Sequence, residues 1–124
     1  MAMTIAEAAE RSGLTSHTLR YYERDGLMLF PVERSSTGHR RYTDRDLTWI
    51  ELVTRLRATG MPIRDVRRYA ELVRAGAGNE QERLELLRAH RRAVLDQLAE
   101  VQDHLGAIDR KIGIYVDHLE RARV

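Results

Sequence analysis

The sequence predicts a mainly α protein, a winged helix-turn-helix followed by a long C-terminal coiled-coil helix. Three observations carry that prediction. Capping signals near the start bracket two short helices separated by about four residues, the spacing of a helix-turn-helix. A turn-forming SSTG segment lies between Pro31 and Tyr42 and marks a small hairpin, or wing. A heptad seam runs from Leu84 to Leu119. We assign residues 1–76 to a winged helix-turn-helix domain with a second helix pair, and residues 80–120 to a coiled-coil dimerisation helix.

Each element follows from local chemistry. Thr4 caps the first helix with Glu7 as its capping-box partner, and Ile5, Ala8 and Ala9 form a narrow apolar face. Small alanines permit a close helix crossing. Gly13 suits the position just past the helix end, and Thr15 or Ser16 caps the second helix, which ends before Gly26. Pro31 breaks helix, and the segment HRRYT after the SSTG turn reads as a short strand. The hairpin so formed carries Arg34 on one arm and Arg40, Arg41 and Tyr42 on the other. TDRD, Thr43 to Asp46, is a second capping box, opening a helix through Trp49, Ile50, Val53 and Leu56 to Gly60. Pro62 starts the next helix, whose apolar stripe is Ile63, Val66, Ala70 and Val73. RAGAGNE reads as a flexible break before the last helix.

The last helix has the clearest pattern. Its a and d positions are Leu84, Leu87, Arg91, Val94, Leu98, Val101, Leu105, Ile108, Ile112, Tyr115 and Leu119, with Arg91 the one polar residue. Left exposed, such a seam is a large apolar patch, and a second copy of the chain is its economical cover.

Charge is distributed unevenly. The net formal charge is +2, but residues 1–75 hold thirteen arginines against ten carboxylates, whereas residues 76–124 hold eight basic groups against nine acidic ones. The absence of cysteine excludes disulfides and thiolate metal sites. No apolar run reaches membrane-spanning length and no secretory leader is visible, so a cytoplasmic location is expected.

On the second helix, Leu14 and Leu19 must face the first helix, and the helical wheel also turns Tyr22 inward. That leaves Ser16, His17, Arg20, Tyr21 and Arg24 outward. Short polar, cationic and phenolic groups on one helix face suit a DNA major groove, where arginine reads guanine and hydroxyls reach phosphates. A wing bearing Arg40, Arg41 and Tyr42 can clamp the backbone beside that groove, and a dimer presents two such units to a two-fold site.

Three segments, TIAEAAERSGLTSHTLRYYERDGL, GHRRYTDRDL and RATGMPIRDV, together resemble the MerR family of transcription regulators over roughly residues 3–75. The resemblance implies a winged helix-turn-helix, a second helix pair and an antiparallel coiled-coil homodimer. It also implies binding to palindromic double-stranded promoter DNA with an unusually long spacer, which is distorted so that RNA polymerase can use it. Carried over, Arg20, Tyr21 and Tyr22 belong to the DNA-facing helix, Arg40 and Tyr42 to the wing, and Arg57 to a contact near the distorted centre. Many members have Gly-Tyr-Arg where this chain has Gly38, His39 and Arg40.

No cofactor or metal is expected, and no nucleophile–base pair points to an enzyme. His90, His104 and His118 recur every fourteen residues. Their spacing of about 21 Å along one helix prevents any two from sharing an ion, so they read as hydrated flanks of the coil. The identity of a small-molecule effector is not legible. The rival reading is a coiled-coil structural or interaction protein with a basic adaptor domain.

Overall fold

The structure, a computed structural model, describes residues 2–123. In chain order it contains α1 (Ile5–Ser12), α2 (Ser16–Arg24), β1 (Glu33–Arg34), β2 (Arg40–Arg41), α3 (Asp44–Ala58), α4 (Ile63–Ala75) and α5 (Glu80–Ala122). It divides into two compact units, one ending at Leu87 and the other starting at Arg88.

Helix boundaries follow the capping chemistry. The Thr4–Glu7 box closes reciprocally at 3.1 and 3.2 Å. These bonds to Thr4 hold the Glu7 carboxyl below its usual pKa. Thr15, rather than Ser16, caps α2 by accepting from the Thr18 amide. The Thr43–Asp46 box starts α3. Pro62 occupies the cap position of α4 and gives no side-chain cap bond.

The core of the first unit gathers Ala8 of α1, Leu19 and Tyr22 of α2, Leu27, then Ile50 and Val53 of α3, Met61, and Val66 and Ala70 of α4. Full burial of such an aliphatic side chain contributes about 1.5–3 kcal/mol. The stripe expected on α4 is rotated slightly. Leu72 is buried, whereas Ile63 and Val73 pack only partly against the core. Trp49 locks α3 to the loop after α2, its indole Nε1 donating to the Leu27 carbonyl at 2.6 Å and its ring stacking on Tyr69.

The wing is smaller than the expected strand. β1 and β2 are antiparallel two-residue strands pairing Glu33 with Arg41 and Arg34 with Arg40. Gly38 takes the left-handed φ of 84° in the turn, where a side chain is strained. Tyr42 continues the return arm by exchanging backbone bonds of 2.7 and 2.8 Å with Met3.

RAGAGNE is a stitched turn rather than a loose break. The Asn79 side chain donates to the Leu72 carbonyl, and Arg83 donates to Asn79 and to the Gly76 carbonyl. Leu87, an expected seam residue, packs against the core of the first unit. In the second unit, α5 continues as a helix without a single buried residue.

Trp49→Phe removes the donor to a buried carbonyl, a loss of about 1–3 kcal/mol. The expected result is a lowered urea midpoint by far-UV circular dichroism, and an unchanged midpoint would show that the indole bond contributes nothing.

Candidate nucleic-acid interface

The outward face of α2 carries the groups expected of it. His17 and Arg20 are exposed, and Ser16 and Tyr21 are half-buried. The Arg24 guanidinium lies 5.9 Å from the Tyr21 ring centroid, a cation–π arrangement that orients the phenol. Tyr22 is different. Its ring is in the core, and its hydroxyl reaches Thr54 of α3 at 3.4 Å. The tandem tyrosines are 6.4 Å apart between ring centroids, one in the core and one at its edge.

The wing meets α2 through a carboxylate that sequence reasoning did not single out. Glu23 accepts from Arg40 Nε at 2.8 Å and from Arg34 Nη2 at 3.3 Å. Both wing arms are therefore tied to one residue of α2. Its signal in the sequence is faint, a lone carboxylate in a basic and aromatic stretch, because its partners lie 11 and 17 residues away. The Arg40 bond engages Nε, and a guanidinium has further donors.

Helix and wing converge on a recess of about 180 Å³ lined by Thr4, Ile5, Arg20, Arg34, Gly38, His39 and Arg40. The start of α1 contributes the first two, so a positive helix end and several cationic side chains face one space. His39 joins the turn through Thr37, whose hydroxyl lies 2.9 Å from Nδ1.

Two of the other expected contact residues are also engaged within the fold. Tyr42, expected at the wing surface, is 0% exposed, and its hydroxyl has no protein partner among the described residues. Burial raises its pKa, with Glu23 adding to the effect. The Tyr42 backbone pairs with Met3, which ties the end of the return arm to the segment just before α1. Arg57 is exposed but donates to the Met61 carbonyl at 2.7 Å, closing the α3–α4 turn. Arg41 is half-buried on the strand next to Arg40.

Of the expected dimerisation residues, Leu87 and Val94 are half-buried and Leu84 is 39% exposed. Leu98, Val101, Leu105, Ile108, Ile112, Tyr115 and Leu119 are between 49% and 64% exposed, an unpartnered apolar stripe. No helix among the described residues is long and apolar enough to cross a membrane.

A helix-turn-helix with a wing pinned to its second helix defines a class of DNA-reading regulators. Comparison with known proteins narrows the class: the MerR HTH regulatory protein family matches residues 3–72, and the chain belongs to that family. It is 39% identical to an uncharacterised HTH-type transcriptional regulator of Haemophilus influenzae, over 93% of this chain and 84% of that protein. It is also 37% identical to the transcriptional regulator AdhR of Bacillus subtilis, over 76% of this chain and 66% of AdhR. Among solved structures, a MerR-family regulator of Listeria monocytogenes superposes with a TM-score of 0.90 at 36% identity, covering 98% and 91% of the two chains. HiNmlR, a family member lacking the sensor domain and solved bound to promoter DNA, gives 0.83 at 39% identity over 93% and 90%. The relatives are transcription regulators, not enzymes.

Glu23→Gln keeps the size of the side chain and removes its charge. For so partly exposed a pair the loss is about 1 kcal/mol, roughly a fivefold change in an opening equilibrium. Amide hydrogen exchange in β1 and β2 should quicken by about that factor, with α3 unaffected. Unchanged exchange in the wing would show that Glu23 does not hold it.

Proposed function

We propose that this chain is a dimeric, sequence-specific DNA-binding transcription regulator that grips a palindromic promoter site and distorts it to control RNA polymerase. The observation that carries the proposal is the recess where Arg20 of α2 meets Arg34, His39 and Arg40 of the wing. Major-groove readout by α2 and backbone contact by the wing demand that those two elements hold a fixed relation.

Within this reading Ser16, His17, Arg20 and Tyr21 contact DNA from α2, and Arg40 and Arg41 contact it from the wing. Arg57 serves near the centre of the site while also closing its own turn. Tyr22 and Tyr42 act from within, setting the positions of helix and wing. The exposed seam of α5 supports pairing with a second copy, antiparallel in keeping with the family, which doubles every contact. Bending a short duplex costs on the order of 1–6 kcal/mol, so contacts made only with bent DNA must offset it. The Tyr21 phenol, oriented by Arg24, is suited to such a contact.

Gel shift against the DNA upstream of the protein's own gene, at several salt concentrations, tests the reading. Arg20→Ala should flatten the salt slope by about two units, one per subunit, if each Arg20 neutralises a phosphate. Tyr42→Phe should leave affinity unchanged, because its hydroxyl is sealed. A wild-type protein with no salt-dependent binding to any such site would overturn the proposal, and a Tyr42→Phe defect would return that phenol to the interface.

Distortion is tested separately at saturating protein. Tyr21→Phe should reduce DNA bending and run-off transcription together once occupancy is equal. Wild-type protein that fills the site without bending it would leave steric repression as the better account.

A further inference from the structure

We propose that Glu23 is a specificity-determining residue: it aims the wing arginines at one phosphate position and cancels part of their charge, so that they serve a seated duplex and not any stretch of DNA. The inference rests on the DNA-binding reading above and adds to it a means of telling the right site from the wrong one.

The first support is the way the arginines are held. Both oxygens of the carboxylate are in use, Oε2 accepting from Arg40 Nε at 2.8 Å and Oε1 from Arg34 Nη2 at 3.3 Å. Arg34 is held a second time, through Nη1 to the Gly38 carbonyl. The Arg40 bond takes Nε and leaves the Nη donors for another acceptor. The Glu23 and Arg40 side chains are only 21% and 23% exposed, so this guanidinium does not sweep the surface as an unpaired arginine does.

The second support is the side from which they are held. Arg20, Arg34 and Arg40 form part of the wall of the recess between α2 and the wing, and Glu23 does not. Glu23 instead lines a separate hollow with Gly26, Met28 and Arg74. An anion entering the recess therefore meets the arginines without displacing the carboxylate. Glu23 acts through them, as a positioning residue.

Discrimination follows from the charge and the aim together. Non-specific binding is driven by phosphate neutralisation and is blind to sequence, so a freely swinging arginine strengthens wrong sites as readily as right ones. At about 0.1 M salt, one added phosphate contact raises affinity roughly eightfold through counterion release. Glu23 withholds that gain from wrong sites. When α2 is not seated in the major groove, phosphates miss the position at which Arg40 is aimed. When α2 is seated, a phosphate falls there, and a guanidinium already fixed through Nε meets it at little loss of freedom.

The test compares two duplexes bound by the full-length protein. One is the tightest duplex selected from a random pool, and the other is a scrambled sequence of the same length and base composition. Glu23→Gln keeps the side-chain size and removes its charge. Its salt slope on the scrambled duplex should steepen by about one unit per subunit, while affinity for the selected duplex does not rise. The ratio of the two affinities should then fall by roughly eightfold per subunit at about 0.1 M salt. An unchanged ratio overturns the proposal, as does an equal weakening on both duplexes, which a merely structural residue would give. In an Arg34→Ala, Arg40→Ala background, Glu23→Gln should lose its effect on the ratio. An effect of undiminished size there would show that Glu23 repels DNA directly and does not act through the wing. If Glu23→Gln fails to fold, Arg40→Lys takes its place, because an ammonium keeps the charge but has no planar fork to hold Glu23 and a phosphate in fixed relation. The ratio should fall in that variant too, and a wild-type ratio overturns the proposal. Wild-type protein that binds neither duplex in a salt-dependent way refutes the DNA-binding reading itself. Wild-type protein that discriminates, with variants that discriminate equally well, refutes the role of Glu23 alone.

Discussion

The burial of Tyr42 is the constraint on which the surface shared by α2 and the wing depends. A wing of two-residue strands has almost no stability of its own, since an isolated hairpin is marginal in water even when longer. Here the residue that ends its return arm is a fully buried aromatic, and its backbone pairs with Met3 just ahead of α1. The wing is thereby joined to the start of the helix-turn-helix and to the core at one point. Glu23 makes the second attachment, from the side of α2. With two anchors, the position of Arg34 and Arg40 relative to Arg20 is set before any ligand arrives. An ordered, preformed surface loses less freedom on binding than a mobile one.

The basic excess of the first unit is divided between two tasks. Arg67 donates to the Asp25 carbonyl at 2.8 Å and Arg74 to the Met28 carbonyl at 2.6 Å, so α4 holds the loop that leaves α2. Arg57 and Arg83 close turns on backbone carbonyls, and Arg45 lies over the Phe30 ring at 5.6 Å. Counting arginines thus overstates the charge available to a nucleic acid. Arginine suits the stitching role because its several donors reach carbonyls that no amide can serve. What remains for an anion is concentrated on α2 and the wing, where Arg20 is exposed and Arg34 and Arg40 are steered by a shared carboxylate.

Much of this architecture was legible in the sequence because the relevant chemistry is local. A capping box spans four residues, so Thr4–Glu7 and Thr43–Asp46 announce their helices directly, and the heptad seam announces α5. The outward placement of His17, Arg20 and Tyr21 follows from helical periodicity, as does the inward turn of Tyr22. The missed features all depend on pairings between distant residues. Glu23 finds its partners across the loop and wing, Tyr42 pairs with Met3, and Leu87, at a heptad seam position, also packs partly against the core. The stitched turn near Asn79 was missed for a related reason. Gly76 and Gly78 look permissive in the sequence, and the bonds that order them come from Asn79 and Arg83 in the helix that follows.

The two units have different sources of stability. The first owns a core assembled from every helix that precedes α5, and it needs no other molecule to bury that core. The second is a stretch of helix with no buried residue among those described and a continuous exposed apolar stripe. On the proposed dimer its stabilisation comes from association and therefore varies with protein concentration. A regulator built this way joins a preformed reading head to a concentration-dependent clasp. On the proposed reading a single head offers half of the contacts to a two-fold site, and bending the DNA would demand both halves at once. On the same proposed reading, occupancy of the site then follows the extent of pairing along the α5 seam.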